Sequence, residues 1–150
     1  MTQIKNILCP IDFSKCSERA LDYAVHMASL LGAELHLVHA YVDPLASIPF
    51  GRANTAGPAA ADPELITAAK QERAQEVARL QALCDKHGVT TTVKEVEGEP
   101  RHVICQIAKD DAADLIIMGT HGRTGAARAL IGSVAERVVR TAPCAVLTVP

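Results

Sequence analysis

Apolar positions along the chain follow two spacings, one suited to strands and one to helices, and the two alternate from end to end. Ile4-Lys-Asn-Ile7-Leu8-Cys9-Pro10-Ile11 is short and mostly apolar, which predicts a buried, central strand. It closes on Pro10-Ile11-Asp12-Phe13-Ser14, where Asp12 and Ser14 both suit a helix N-cap. Leu21, Ala24, Val25, Ala28 and Leu31 then recur at helical spacing on one face, and Gly32 stands where a helix usually stops. Ala33 to Tyr41 predicts a second strand, and Glu64 to His87 a long polar helix with Leu65, Ala69, Val77, Leu80 and Cys84 as its buried stripe.

Val89 to Val96 is rich in Val and Thr but half polar, as an edge strand would be. Gly98-Glu-Pro100 opens a third helix with proline near its first turn, and Val103, Ile104, Ile107 and Ala108 form its inner face. Asp114-Leu-Ile-Ile-Met118 has no polar break inside its apolar run, so both faces of this fourth strand should be covered. A helix around Ile131, Val134, Ala135 and Val138 follows, then a terminal strand from Cys144 to Val149.

Strands and helices in strict alternation predict a single α/β domain over residues 1–150: a parallel sheet with helices on both faces. Such sheets bind ligands beyond the carboxyl ends of their strands, where the winding changes direction. The first and fourth strands are the most apolar and are therefore expected to be central neighbours, with Asp12 and the segment after Met118 facing one crevice. Residues 42–63, rich in Ala, Pro and Gly, lack periodicity and form an insertion, either a short lid or a plain mobile loop. No internal repeat or second domain is evident.

The segment after the fourth strand, Gly119-Thr-His-Gly122-Arg-Thr-Gly125, is where chemistry enters. A strand that breaks into glycines and then a helix can hold an anion, because backbone amides approach closely and the helix start adds unpaired donors. The spacing fits neither a P-loop nor the dinucleotide fingerprint. Taken alone, the three glycines also fit a tight turn beside a close helix–strand contact.

Bulk composition narrows the function. The net charge is −2 and Trp is absent, so neither an electrostatic footprint nor a stacking platform for nucleic acid is present. The first residues lack a secretory apolar region and no run reaches the roughly 20 residues that span a bilayer, giving a cytoplasmic, non-membrane expectation. Of five cysteines none forms a C-x-x-C pair. Cys16, near a helix start, is the one whose thiol that position could activate. His36 and His39 lie on opposite faces of a strand, so a shared metal is not expected.

Gly119-x2-Gly122-x9-Gly132-Ser133, together with Ile7-Leu-Cys-Pro10-Ile-Asp12-Phe-Ser14, Leu37-Val-His39-Ala40, Gly98-Glu-Pro100 and Pro143-Cys-Ala-Val-Leu-Thr-Val149, resembles the ATP-binding branch of the universal stress protein family over essentially the whole chain. The resemblance implies a Rossmann-like five-stranded sheet ordered 3-2-1-4-5. It places Pro10, Ile11 and Asp12 along an adenosine, with Asp12 on a ribose hydroxyl or helping to hold a metal. Ala40 would meet the adenine edge through its backbone, and Met118 and Gly119 would flank base and ribose. Gly122 and Arg123 would wrap the phosphates, and Gly132, Ser133 and Val134 would donate to them. ATP, with Mg²⁺ held mainly by its phosphates, is the implied cofactor, and the metal ligands are left unassigned. The implied role is a stress-response sensor or regulator acting on a protein partner that the sequence does not specify. Two alternatives stay open: a slow ATPase or autophosphorylating enzyme, and a non-nucleotide interaction module. A Walker-type lysine and a poised general base are both missing. The apolar terminal strand Ala145–Val149, as a sheet edge, predicts a homodimer.

Overall fold

The computed structural model describes residues 3–42, 63–122 and 131–150. Within them the elements run β1 (Asn6–Pro10), α1 (Lys15–Leu31), β2 (Glu34–Tyr41), α2 (Pro63–Lys86), β3 (Thr91–Glu97), α3 (Pro100–Asp110), β4 (Leu115–Gly119), α4 (Ser133–Thr141) and β5 (Ala145–Val149). All five strands are parallel, in the order β3-β2-β1-β4-β5. The expected architecture and strand order are both present.

β1 is central because Ile7, Leu8 and Cys9 are fully buried, and β4 beside it buries Leu115 to Met118 without interruption. Alternate side chains feed two cores. Ile7, Cys9, Leu35, Leu37 and Ile117 pack with Ala20, Leu21, Ala24 and Ala28 of α1 and Leu80 and Cys84 of α2. Leu8, Val38, Ile116 and Met118 pack with Val103, Ile104, Ile107 and Ala108 of α3 and Ala135 and Val138 of α4. The strand period of two therefore divides the helices between the faces, α1 and α2 on one and α3 and α4 on the other.

β1 and β4 are also tied where they begin. The Asp114 carboxylate accepts from the amides of Lys5 and Asn6 at 2.8 and 3.0 Å. These two amides, Lys5 first, hold the Asp114 carboxyl below its ordinary pKa.

Of the expected helical apolar positions whose side chains are described, Val77 is half-buried and in neither core, and three are exposed; the side chain of Leu65 lies outside the described residues. Leu31 is 43 % exposed and Ala69 is exposed. With 24 residues, α2 runs roughly 36 Å, whereas the longest strand, β2 with 8 residues, reaches only about 26 Å, so the first turns of α2 extend past the sheet. Leu31 is the last residue of α1, beside its Gly32 cap. Ile131 precedes α4 instead of lying within it and is 41 % exposed, because Gly132 is the N-cap. Residues 43–62 of the expected insertion, Arg123 and Gly125 lie outside the described residues.

Candidate functional site

Winding reverses between β1 and β4, since β1 leads to β2 on one side and β4 leads to β5 on the other. The crevice beyond their carboxyl ends is the expected ligand position, and the turn after β1 forms its first wall. Ile11 continues the ladder, its amide donating to the Val38 carbonyl at 2.9 Å. Of the two candidate caps the structure selects Ser14, whose hydroxyl accepts from the Ser17 amide at 3.2 Å. Asp12 makes an Asx turn instead, its Oδ1 accepting from the Ser14 amide at 3.0 Å. Between them Phe13 takes a left-handed backbone, φ 62°, a conformation that costs a bulky residue about 1–3 kcal/mol.

The second wall comes from the segment after β4. The Thr120 amide donates to the Val149 carbonyl at 2.9 Å, and the Thr120 carbonyl accepts from the Gly132 amide at 2.7 Å. This pair fixes the start of α4 beside the end of β4. Three glycines allow the close approach. A Cβ at Gly132 would lie 2.9 Å from the Thr120 oxygen, and one at Gly122 would lie 2.8 Å from Asp12 Oδ2. At Gly119 a Cβ would lie 2.8 Å from the Cys16 sulfur and 3.0 Å from its backbone carbon. Gly122 thus abuts the outward oxygen of Asp12, while Gly119 is required by the packing of α1 on β4. The sequence pattern allows for such a close helix–strand contact but does not name its partner.

Gly132, extended at φ −65° and ψ 153°, caps α4 without a side chain. The opening amides of the helix therefore have no side-chain cap, and they suit an anion. An open cleft of about 440 Å³ lies between the walls. Phe13, Ser14, Lys15, Cys16 and Arg19 line it from the α1 side, and His121 and Gly122 from the β4 side. Lys15 and Arg19 add positive charge on that wall.

Of the described site residues expected from the sequence, Gly122 lines this cleft and the others do not, while Phe13, Lys15 and Arg19 line it without having been expected. Pro10 ends β1, Ala40 is the penultimate residue of β2, and Met118 and Gly119 close β4. Ile11 and Met118 are each 4 % exposed, their side chains committed to the two cores, so only their backbone is available to a ligand. Ser133 is exposed and Val134 half-buried in the first turn of α4.

Cys16 had been singled out by its position, and its surroundings are specific. Burial raises its pKa, but the His121 amide and the Thr120 and Arg19 side chains outweigh this and leave the thiol below its ordinary range. The neutral thiol is also placed to donate to the Val149 carbonyl at 3.4 Å. His121 Nδ1 pairs with the Thr120 hydroxyl at 2.9 Å, and its Nε2 is buried without a partner. His36 and His39 do face opposite ways: His36 Nδ1 pairs with Thr92 at 2.8 Å, while His39 lies 7 % exposed beneath Phe13.

Among the described residues no group of three or more His, Cys, Asp or Glu side chains could hold a metal. A divalent cation here would need its ligands mostly from a bound phosphate chain, with Asp12 as one protein contribution. Among the described residues no helix is long and apolar enough to cross a membrane.

Fold and crevice together define a doubly wound α/β protein with a glycine-lined crevice at its switch point. The chain belongs to the universal stress protein family, whose model matches residues 3–150. A universal stress protein of Methanocaldococcus jannaschii is 35 % identical over 97 % of this chain and 81 % of its own length. The solved universal stress protein UspA of Lactobacillus plantarum superposes with a TM-score of 0.80 at 26 % identity, both chains fully covered. Two more distant solved members carry ligands. One, in complex with cAMP, has a TM-score of 0.66 at 24 % identity over 99 % of this chain and 98 % of its own. The other, from Archaeoglobus fulgidus in complex with dAMP, has 0.65 at 21 % over the full length of both. At these identities the two complexes establish a shared fold for this chain, and their ligands are their own.

Proposed function

We propose that this chain is an ATP-binding universal stress protein that acts as a cytoplasmic regulator. The observation that carries the reading is the approach of Gly122 to Asp12, where a Cβ would stand 2.8 Å from the free carboxylate oxygen. The bare start of α4 lies on the same side, held there through Thr120 and Gly132. A carboxylate on a ribose hydroxyl and a helix start on phosphates match two adjoining parts of a nucleotide. Pro10, Ile11, Asp12, Ala40, Met118 and Gly119 then follow the adenosine. Gly122, Arg123, Gly132, Ser133 and Val134 follow the phosphates, with Mg²⁺ carried by the phosphate oxygens. The cAMP and dAMP complexes of distant members support an adenine nucleotide as the class of ligand.

Regulation is favoured over turnover because, among the described residues, the cleft offers no lysine in a Walker-type setting and no second carboxylate beside Asp12. We further propose one domain over the chain, with residues 42–63 as a variable insertion, and a homodimer paired through β5. β5 is an edge strand, and its Leu147 is 37 % exposed.

Isothermal titration of the full chain with ATP and Mg²⁺ tests the reading. Saturable heat at micromolar to millimolar nucleotide is expected. No heat and no thermal stabilisation at millimolar ATP would refute it, and turnover on the order of 1 per second or faster would replace the regulator with an enzyme.

A further inference from the structure

The turn that presents Asp12 is held by more than its own Asx turn, in which Asp12 Oδ1 accepts from the Ser14 amide at 3.0 Å. Phe13, next in the chain, has φ 62° without being glycine, and such a residue persists only where its surroundings impose the conformation. Asp12 itself is weakly tied on its amide side, its N–H reaching the Ser17 hydroxyl at 3.4 Å. The firm constraint comes from β2. His39 is 7 % exposed, and its Nδ1 meets the Ile11 carbonyl at 2.9 Å. A carbonyl only accepts, so Nδ1 carries the proton and donates. The Phe13 ring packs on the same imidazole with centroids 4.6 Å apart, tilted by 50°. One buried side chain therefore grips the residue before Asp12 by a hydrogen bond and the residue after it by its ring face.

We infer that His39 is a positioning residue for the nucleotide site: with Phe13 it clasps the β1–α1 turn and so fixes where the Asp12 carboxylate meets the ligand. This rests on the ATP-binding reading. His39 makes no ligand contact in this role, and its whole effect on affinity passes through Asp12. Coupling is the distinguishing property. A residue that merely supports the sheet lowers stability and weakens binding regardless of what stands at 12. A residue that acts through Asp12 loses its influence once that carboxylate is gone.

The test is a double-mutant cycle on ATP affinity, measured by isothermal titration with Mg²⁺ on wild type, Asp12→Asn, His39→Gln and the double variant. Glutamine keeps a polar side chain but moves the donor beyond the Nδ1 position. His39→Asn, whose amide nitrogen can sit where Nδ1 was, serves as the conservative rescue. Expected results are about tenfold weaker binding for His39→Gln in the wild-type background, no further loss in the Asp12→Asn background, and near wild-type affinity for His39→Asn. Equal losses from His39→Gln in both backgrounds, or an Asp12→Asn variant that binds like wild type, overturn the positioning role while ATP binding stands. Wild type that binds no ATP overturns the nucleotide reading itself. If His39→Gln does not fold, the Asn variant decides alone, because weak binding by a well-folded His39→Asn contradicts the clasp.

Discussion

Two glycines three residues apart should answer to alanine in opposite ways. At Gly119 the new Cβ would stand 2.8 Å from the Cys16 sulfur and 3.0 and 3.1 Å from its backbone carbon and oxygen. A backbone cannot rotate aside, so α1 must back away from β4, the strand most completely buried. Overpacking of this kind costs roughly 1–3 kcal/mol, and each kcal/mol lowers the melting temperature of a chain this size by about 2–4 °C. At Gly122 the methyl meets, among the described residues, one atom, Asp12 Oδ2, at 2.8 Å. That atom is a side-chain end, free to swing, so a displacement of about 0.6 Å restores ordinary contact and the core is untouched. What suffers is the carboxylate's aim. A hydrogen bond to a charged group is worth about 1.5–3 kcal/mol, so ATP should bind roughly 10- to 150-fold more weakly. Thermal melts and titrations of Gly119→Ala and Gly122→Ala read both effects. A Gly119→Ala protein that melts like wild type would refute the reasoning. So would a Gly122→Ala protein that melts several degrees lower yet binds ATP unchanged.

Other expectations follow from individual residues. Removing Asp114 should destabilise the chain most at neutral pH: its folded pKa is lowered, so its contribution is full above about pH 4 and fades as pH falls through the folded value. Denaturant midpoints for wild type and Asp114→Ala should therefore converge below about pH 4, and a gap that is constant with pH would exclude the ionic origin. Among the thiols, Cys16 should reach half-maximal alkylation below the ordinary cysteine value of about 8.5, whereas Cys9, fully buried and with its pKa raised first by that burial and then by Cys84, should stay unmodified in the native state. Peptide mapping after iodoacetamide across a pH series reads this, and Cys16 labelling confined to strongly alkaline pH would contradict it. Leu147→Lys, which places a charge on the β5 edge, should turn a dimer into a monomer in light scattering at micromolar concentration. A wild type that is already monomeric there would rule out pairing through β5.

The fold was legible because its signals are long and redundant. The unbroken apolar run Leu115 to Met118 and the half-polar, Val- and Thr-rich run Val89 to Val96 separate a central strand from an edge one, and both assignments match the sheet. Among the misplaced positions, Ile131 stands before the Gly132 cap, while Leu31 and Ala69 share one cause. Periodicity reports which way a side chain points along a helix, but not whether anything lies opposite it. For the site, glycine spacing identified backbone that must pass close to something. It did not say to what: Gly119 yields to Cys16, Gly122 to Asp12 and Gly132 to Thr120. Least legible was Phe13. An aromatic residue in a left-handed turn has no local signature, because β2, through His39, imposes the conformation from 26 positions further along the chain.

The central claim is that the crevice between β1 and β4 holds an adenine nucleotide. Native mass spectrometry of the full chain, purified without added nucleotide and then incubated with ATP and Mg²⁺, tests it most directly. The account predicts one adenine nucleotide per chain, already present on purification or acquired on incubation, and needing roughly 10- to 150-fold more ATP to saturate in Gly122→Ala. A ligand-free mass before and after millimolar ATP would contradict it.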